Sequence, residues 1–190
     1  MYKRQARLAL GSADSSSFSS QTWLTCAAAH AAQRGRWRDH AALLSRAREL
    51  AQRKLAAGDS VSAREWHQVV GWAEAHGLWR RGRKEEALRT FESVLASDAR
   101  AWWMLWDVGQ LAFELGRLEL AERAFQALWQ WDGPPAHLYL GRIYERTGRV
   151  AEALDAYRFV NYAWRAADPE LEPLVAEARQ AVARLSGAEE

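Results

Sequence analysis

The sequence is poor in the residues that cross-link or interrupt a chain. Only one of its 190 residues is cysteine, Cys26, and only four are proline. A single cysteine excludes an internal disulfide, and scarce proline suits long helices because proline disrupts a helix interior. No run approaches the ~18 consecutive apolar residues of a membrane-spanning helix. The N-terminal residues also lack the apolar core of a secretory signal. With 49% hydrophobic residues, these absences favour a helical soluble protein, which we expect in the cytoplasm.

Motifs for catalysis and metal binding are also missing. The sequence contains no glycine-rich phosphate loop, no His-Glu-x-x-His and no cysteine cluster, so the usual phosphate and metal sites have no candidate residues. The five histidines share no ligand spacing; they are His30, His40, His67, His76 and His137. We therefore predict that the protein is not an enzyme and needs no cofactor.

The sequence contains three copies of one short motif. Each copy has Gly-Arg, then alanine five residues after the glycine, then an aromatic residue four positions later. A small residue also lies seven positions before each glycine. The copies are Ala75, Gly82, Ala87, Phe91; Gly109, Gly116, Ala121, Phe125; and Gly141, Gly148, Ala153, Tyr157. Their spacing of 34 and then 32 residues indicates stacked supersecondary units.

Each copy fits a hairpin of two antiparallel helices. The glycine ends the first helix, where a left-handed conformation costs it no Cβ strain. The small residues on either side then fall where the two helices approach closely. The aromatic residue lies on the same face of the second helix, one turn after the alanine, and is placed to pack against the next unit.

These residues resemble the tetratricopeptide repeat in its small residues at positions 8 and 20, its glycine and its aromatic residue. Position 4, often Trp in that family, reads Gly71, Leu105 and His137 here. The resemblance implies an all-α, right-handed superhelix of stacked hairpins with a C-terminal capping helix, serving as an interaction scaffold. The end of the chain is similar to the ends of bacterial arrays attached to kinases, cyclases and regulators. That similarity implies a bacterial accessory module.

Residues that end or interrupt helices divide the chain into four predicted parts. Residues 1–18 are an N-terminal helix fragment and linker, 19–58 a divergent first hairpin, 61–165 three repeats, and 168–186 the capping helix. The start reads either as a piece of a longer chain or as an ordinary frayed terminus. Predicted helices span 19–34, 37–57, 59–81, 84–97, 99–115, 118–131, 134–147 and 150–164. Asp168 is the expected N-cap of the last helix, and Ser62 with Glu65 has the spacing of a capping box.

Charge is distributed unevenly. Residues 1–58 carry ten Lys and Arg against three Asp and Glu, a net charge of +7, whereas the rest of the chain is at −5. A solvated helix surface explains such a bias. The alternative is a basic patch for nucleic acid or another acidic partner. Its candidate residues are Arg34, Arg36, Arg38, Arg46, Arg53 and Lys54.

Eleven tryptophans are many for this length. In the family that the chain resembles, first helices line a groove through positions 2, 5, 9, 12 and 13. The resemblance therefore implies a peptide-binding groove containing Trp72, His76, Trp79, Trp103, Trp106, Gln110, Phe113, Arg142 and Arg146. It also places Leu138 there, at position 5. The competing interpretation assigns some of these rings to the core, and of the adjacent Trp102 and Trp103 one must face inward. Trp129, Trp131 and Trp164 are expected to pack between repeats.

Two functions thus stay open. The first is a protein–protein interaction scaffold that binds a peptide or partner segment in an aromatic groove. The second is a helical-repeat regulator that associates with nucleic acid through its basic N-terminal third. Neither implies a particular partner.

Overall fold

The computed structural model describes residues 18–97 and 99–187, with side chains except those of 18–22, 99–100 and 129–132. Apart from Phe18, the predicted N-terminal fragment lies outside the described residues. The chain divides into two compact units, Met1–Met104 and Leu105–Glu190. All regular elements in the described ranges are helices, and consecutive helices pack together. The prediction of an all-α solenoid of helical hairpins is confirmed.

The first unit contains two hairpins. Helix α1 packs against both α2 and α3, and α3 packs against α2 and α4. Leu24, Leu43, Trp66 and Val70 are among the buried side chains that join α1, α2 and α3 in one core cluster. The elements are α1 (Phe18–Gln33), α2 (Trp37–Ala56), α3 (Ser60–Arg80), α4 (Lys84–Ser97) and a 3₁₀ helix (Ala99–Met104).

The second unit contains two hairpins and a final helix. Helix α6 is really two helices that meet at Gly133, whose φ of 42° and ψ of −121° are not helical, and Pro134 and Pro135 follow it directly. We call residues 118–132 and 134–146 the first and second arms of α6. The elements are α5 (Leu105–Glu114), α6 (Leu118–Arg146), α7 (Val150–Ala163), a 3₁₀ helix (Pro169–Leu171) and α8 (Glu172–Ser186).

The hairpin turns share one hydrogen-bonding pattern. At Gly82 (φ 78°) the glycine amide donates to the Trp79 carbonyl, and the Arg83 amide donates to Leu78. The turn at Gly148 repeats both bonds. This is the Schellman motif, in which a left-handed residue lets the last carbonyls of the helix be satisfied. The repeated Gly-Arg pair therefore marks the C-terminal end of a helix.

Close helix approach, predicted from the small residues, is confirmed in the second unit. A Cβ atom on Gly109 would lie 2.8 Å from Cζ of Phe125, and one on Gly141 would lie 2.8 Å from Cε1 of Tyr157. Both rings are almost fully buried. Each aromatic residue thus rests on the bare backbone of its own hairpin's first helix. Phe125 also stacks on Tyr139 of the next helix, with ring centroids 4.6 Å apart.

The first hairpin diverges because a histidine occupies an alanine position. His40 lies five residues after Gly35 and is 3% exposed. Its Nδ1 lies 2.9 Å from the carbonyl oxygen of Ala28 and must donate, since a carbonyl only accepts. Its Nε2 edge contacts the backbone of Gly77, where a Cβ atom would collide with it. The larger side chain is thus accommodated by a glycine in α3.

Two predicted helix starts and one predicted helix cap need correction. The segment predicted as one helix over 99–115 begins as a 3₁₀ helix that departs from helical geometry at Ala101. Asp168 caps nothing with its side chain; Pro169 opens the short 3₁₀ helix and α8 begins only at Glu172. The capping box is also wrong. Asp59 is the N-cap of α3, and the Ser62 amide donates to its Oδ1 over 3.1 Å.

Candidate interaction surface

The first unit brings four predicted groove residues together around a buried imidazole. His76 is 6% exposed and lies between Trp72, at a centroid distance of 4.5 Å, and Trp79, at 5.8 Å. Phe91 of α4 meets the same imidazole edge-on at 5.6 Å. Trp103 extends the group, since its ring centroid is 5.9 Å from that of Trp72. We call Trp72, His76, Trp79 and Trp103 the first aromatic face.

The tryptophans of this face are neither core nor free surface. Trp72 is partly buried and packs against the core cluster of α1, α2 and α3, whereas Trp66 belongs to that core and is 3% exposed. Trp103 is also partly buried, while its neighbour Trp102 is 49% exposed. Of the adjacent pair, Trp103 is therefore the one that turns inward.

The second unit places Trp106, Gln110 and Phe113 of α5 beside the second arm of α6, with Tyr139 as the hub. Its ring centroid lies 5.7 Å from that of Trp106 and 5.4 Å from that of Phe113, both edge-on. The amide nitrogen of Gln110 donates to the Tyr139 hydroxyl over 3.1 Å. We call Trp106, Gln110, Phe113, Tyr139, Arg142 and Arg146 the second aromatic face.

Sequence reasoning missed Tyr139 because it took the adjacent Leu138 as a groove residue. Leu138 is 2% exposed and belongs to the core formed with α7 and α8, so its assignment to the groove is wrong. The neighbouring Tyr139 takes its place on the face, while Arg142 and Arg146 lie on the face as predicted.

Two arginines of the second face are held in different ways. Arg142 makes two hydrogen bonds of 2.6 Å to the carboxylate of Glu177 in α8, and these bonds raise the pKa of Arg142. Its guanidinium also lies 4.9 Å from the Tyr139 ring centroid. Arg146 lies over Phe113 at 4.0 Å and, among the described residues, forms no ion pair. A cation over an aromatic ring is attracted to it but keeps its hydrogen-bond donors available.

These residues border a cavity of about 520 Å³ between the end of α5, the second arm of α6 and α8. Arg184 of α8 donates to Glu145 over 2.6 Å, and Glu145 also accepts from the Tyr157 hydroxyl. Burial is the main reason that the pKa of Tyr157 is raised, so its hydroxyl stays protonated. The cavity wall thus holds three arginines and two glutamates.

The predicted basic patch is partly neutralised within the first unit. Arg36 pairs with Asp39 at 3.5 Å, Arg46 with Glu49 at 3.3 Å, and Lys54 with Asp59 at 3.5 Å. The remaining three candidates are exposed and have no ion-pair partner in the described part of the chain; they are Arg34, Arg38 and Arg53. The patch is therefore smaller than the charge count suggests.

The described residues hold no group of three or more His, Cys, Asp and Glu side chains placed to bind a metal ion. None of the helices in the same ranges is long and apolar enough to span a bilayer. Cys26 is partly buried, and burial raises the pKa of its thiol.

Repeated helical hairpins, Schellman turns at a fixed spacing and aromatic residues resting on glycine define a helical repeat protein. Comparison with protein families gives the particular class. The model of the tetratricopeptide repeat matches residues 73–131 and 131–169, just over half of the chain. The protein belongs to the tetratricopeptide repeat family, whose repeats are generally protein–protein interaction modules and typically non-enzymatic scaffolds. Neither a curated protein nor a solved structure matches the chain.

Proposed function

We propose that this protein is a non-enzymatic scaffold that binds a segment of a partner protein on its first-helix aromatic faces. The observation that carries the proposal is the second aromatic face. Trp106, Phe113 and Tyr139 form a partly buried strip across two neighbouring first helices, α5 and the second arm of α6. Aromatic and arginine side chains of this kind are the usual energetic anchors of protein interfaces.

The rings of this strip are supported before any partner arrives. Trp106 meets Phe125 edge-on at 5.4 Å, and Phe125 is fully buried. Tyr139 is fixed through its ring by Phe125 and through its hydroxyl by Gln110. Because these side chains are already ordered, they lose little further conformational entropy when a partner binds. The first aromatic face offers a second such surface, with Trp72 and Trp79 braced by His76.

A protein segment is favoured over nucleic acid as the partner. Nucleic-acid binding depends on cations free to neutralise phosphates, yet half of the six candidate basic residues already pair with carboxylates. Each aromatic face, in contrast, presents several ordered rings. Binding through such rings depends on apolar burial and should tolerate salt.

The proposal can be tested by selecting peptides from a random displayed library against the full chain. Selected peptides should lose at least about thirtyfold in affinity for Trp106→Ala, because an aromatic anchor is worth ~2 kcal/mol or more. The matched control is Trp23→Ala, since Trp23 is 52% exposed and lies on α1. Melting temperatures of both variants separate lost binding from lost folding.

The proposal would be contradicted if the selected peptides bound the Trp106→Ala and Trp72→Ala variants as tightly as the parent protein. Binding that collapses with added salt and is lost in an Arg34→Gln, Arg38→Gln double variant would instead support the basic N-terminal region. If Trp106→Ala fails to fold, Phe113→Ala provides the same test from the other end of the strip.

A further inference from the structure

One arginine of the cavity between α5, the second arm of α6 and α8 has no ion-pair partner among the described residues. Arg142 is paired with Glu177, and Arg184 with Glu145. The remaining arginine, Arg146, is exposed and lies over the Phe113 ring. Of the three arginines on the wall, two are thus committed to carboxylates and one is not.

We propose that this cavity is a subsite for an acidic side chain, Asp or Glu, of the partner segment, with Arg146 as its principal hydrogen-bond donor. The inference rests on the proposed function, because it assumes that the segment lies on the second aromatic face. Arg146 presents a planar fork of N–H donors, the geometry that matches a carboxylate. Phe113 beneath the guanidinium fixes its plane.

The apolar surface beside the cavity determines which residues of the bound segment should flank its acidic residue. Phe113 joins the cavity to the strip of Tyr139 and Trp106. A segment that places a carboxylate over Arg146 therefore extends apolar or aromatic side chains along this strip. Gln180 and Arg184, both exposed on α8, also line the cavity.

The positive cavity wall is a local feature of an acidic unit. The sequence of Leu105–Glu190 carries nine Arg and fourteen Asp and Glu, a net charge of −5, whereas the cavity wall carries three Arg and two Glu. Long-range attraction of acidic chains is therefore weak, and only a carboxylate seated beside Arg146 gains. This combination favours a single acidic residue within an otherwise apolar segment over a run of acids.

The test uses the full chain and two short, fluorescently labelled peptide libraries with blocked termini. Both have random apolar flanks, and a central position is fixed as Glu in one and as Gln in the other. Fluorescence anisotropy should show that the Glu library binds about tenfold more tightly, since a hydrogen bond between charged groups gives roughly that ratio. Arg146→Gln should abolish the preference, and Arg146→Lys should restore part of it.

Arg123→Gln is the matched control, because it removes the same charge from an exposed position in the first arm of α6 and should leave the preference unchanged. Equal binding of both libraries, or a preference that survives Arg146→Gln, would overturn the inference. So would a preference lost only in the Arg34→Gln, Arg38→Gln double variant.

The two proposals can fail separately. If both libraries bind equally and Trp106→Ala weakens both, the aromatic face stands and the acidic subsite falls. If the Glu preference depends on Arg146 but Trp106→Ala changes nothing, the subsite stands and the aromatic anchor is wrong.

Discussion

The first and second units place different chemistry at the same repeat positions. In the first unit the buried His76 ring contacts both Trp72 and Trp79. In the second unit the equivalent residue is Gln110, which reaches the Tyr139 hydroxyl, and arginines lie over the rings. The repeat therefore fixes where these side chains lie, while their chemistry varies from one unit to the other.

The two units also differ beneath the aromatic residue of each hairpin. Gly109 and Gly141 leave bare backbone for Phe125 and Tyr157, whereas the corresponding residue in the first unit is Ala75, fully buried. Phe91 there meets His76 edge-on. In the second unit the aromatic ring therefore packs directly on glycine backbone, whereas the close glycine contacts of the first unit are those of Gly71 with Val94 and of Gly77 with His40.

The largest effect should come from removing a core ring of the first unit. Trp66→Ala should lower the free energy of unfolding by ~3–5 kcal/mol, because it leaves a large cavity in the core. Trp72→Ala should cost clearly less, since its ring is only partly buried. Chemical denaturation measures both. Equal losses would make Trp72 a core residue and remove the first aromatic face from the proposed surface.

Adding one methyl group at the close contacts should have the next largest effect. Gly109→Ala and Gly141→Ala should each destabilise by roughly 1–3 kcal/mol, because the buried rings 2.8 Å away cannot move aside. The gain of ~0.5–1 kcal/mol from replacing glycine in a helix offsets only part of this.

Gly187→Ala is the matched control for these variants. Its Cβ would lie 3.6 Å from the carbonyl oxygen of Ala183, an ordinary contact. Thermal melts that shift equally for all three variants, or not at all, would show that the second unit does not depend on close contact at Gly109 and Gly141.

The smallest effect concerns a feature that the two units share. Hydrogen bonds from Arg83 lower the pKa of Glu86, and those from Arg149 lower the pKa of Glu152. A carboxylate whose pKa is lower in the folded state stabilises the fold above its unfolded pKa of about 4.3, and the gain is lost as pH falls through the folded value. The parent should therefore melt slightly above the Glu86→Gln, Glu152→Gln double variant at pH 7, and the difference should shrink as pH falls below about 4 and vanish below the folded pKa of the two carboxyl groups.

Glu92→Gln serves as the control for this measurement, because Glu92 is an exposed residue of α4 without an ion pair in the described part of the chain. A difference between parent and double variant that persists in acid would contradict the assignment. It would then have to come from something other than the ionised carboxylates.

Most of the fold could be predicted from local pattern. The spacing of Gly82, Gly116 and Gly148 located the turns, because a left-handed glycine is required where each first helix stops. Most predicted helix ends lie within a residue or two of the observed ones. The misplaced starts, at residues 99 and 168, are places where no glycine marks the boundary and several cap geometries compete.

The surface was harder to predict, because neighbouring positions on a helix differ by only 100° and a shift of one residue exchanges core for surface. Leu138 and Tyr139 show this directly, as one is buried in the core and the other is the hub of the second face. Trp102 and Trp103 posed the same choice in the first unit. The sequence placed Trp103 in the groove and required one of the two to face inward. The structure leaves Trp102 49% exposed and Trp103 partly buried.

A stack of helical hairpins could be predicted from the sequence alone, because turn glycines and small contact residues act over a few residues and their spacing is visible in the chain. Tertiary structure alone decided which side chains meet. Arg142 pairs with Glu177, 35 residues away, whereas Arg146 has no such partner in the described part of the chain. Both outcomes depend on where the packing of α8 against α7 places the side chains of α8. Such long-range contacts leave no periodic trace in the sequence, because many different residue pairs could satisfy the same packing.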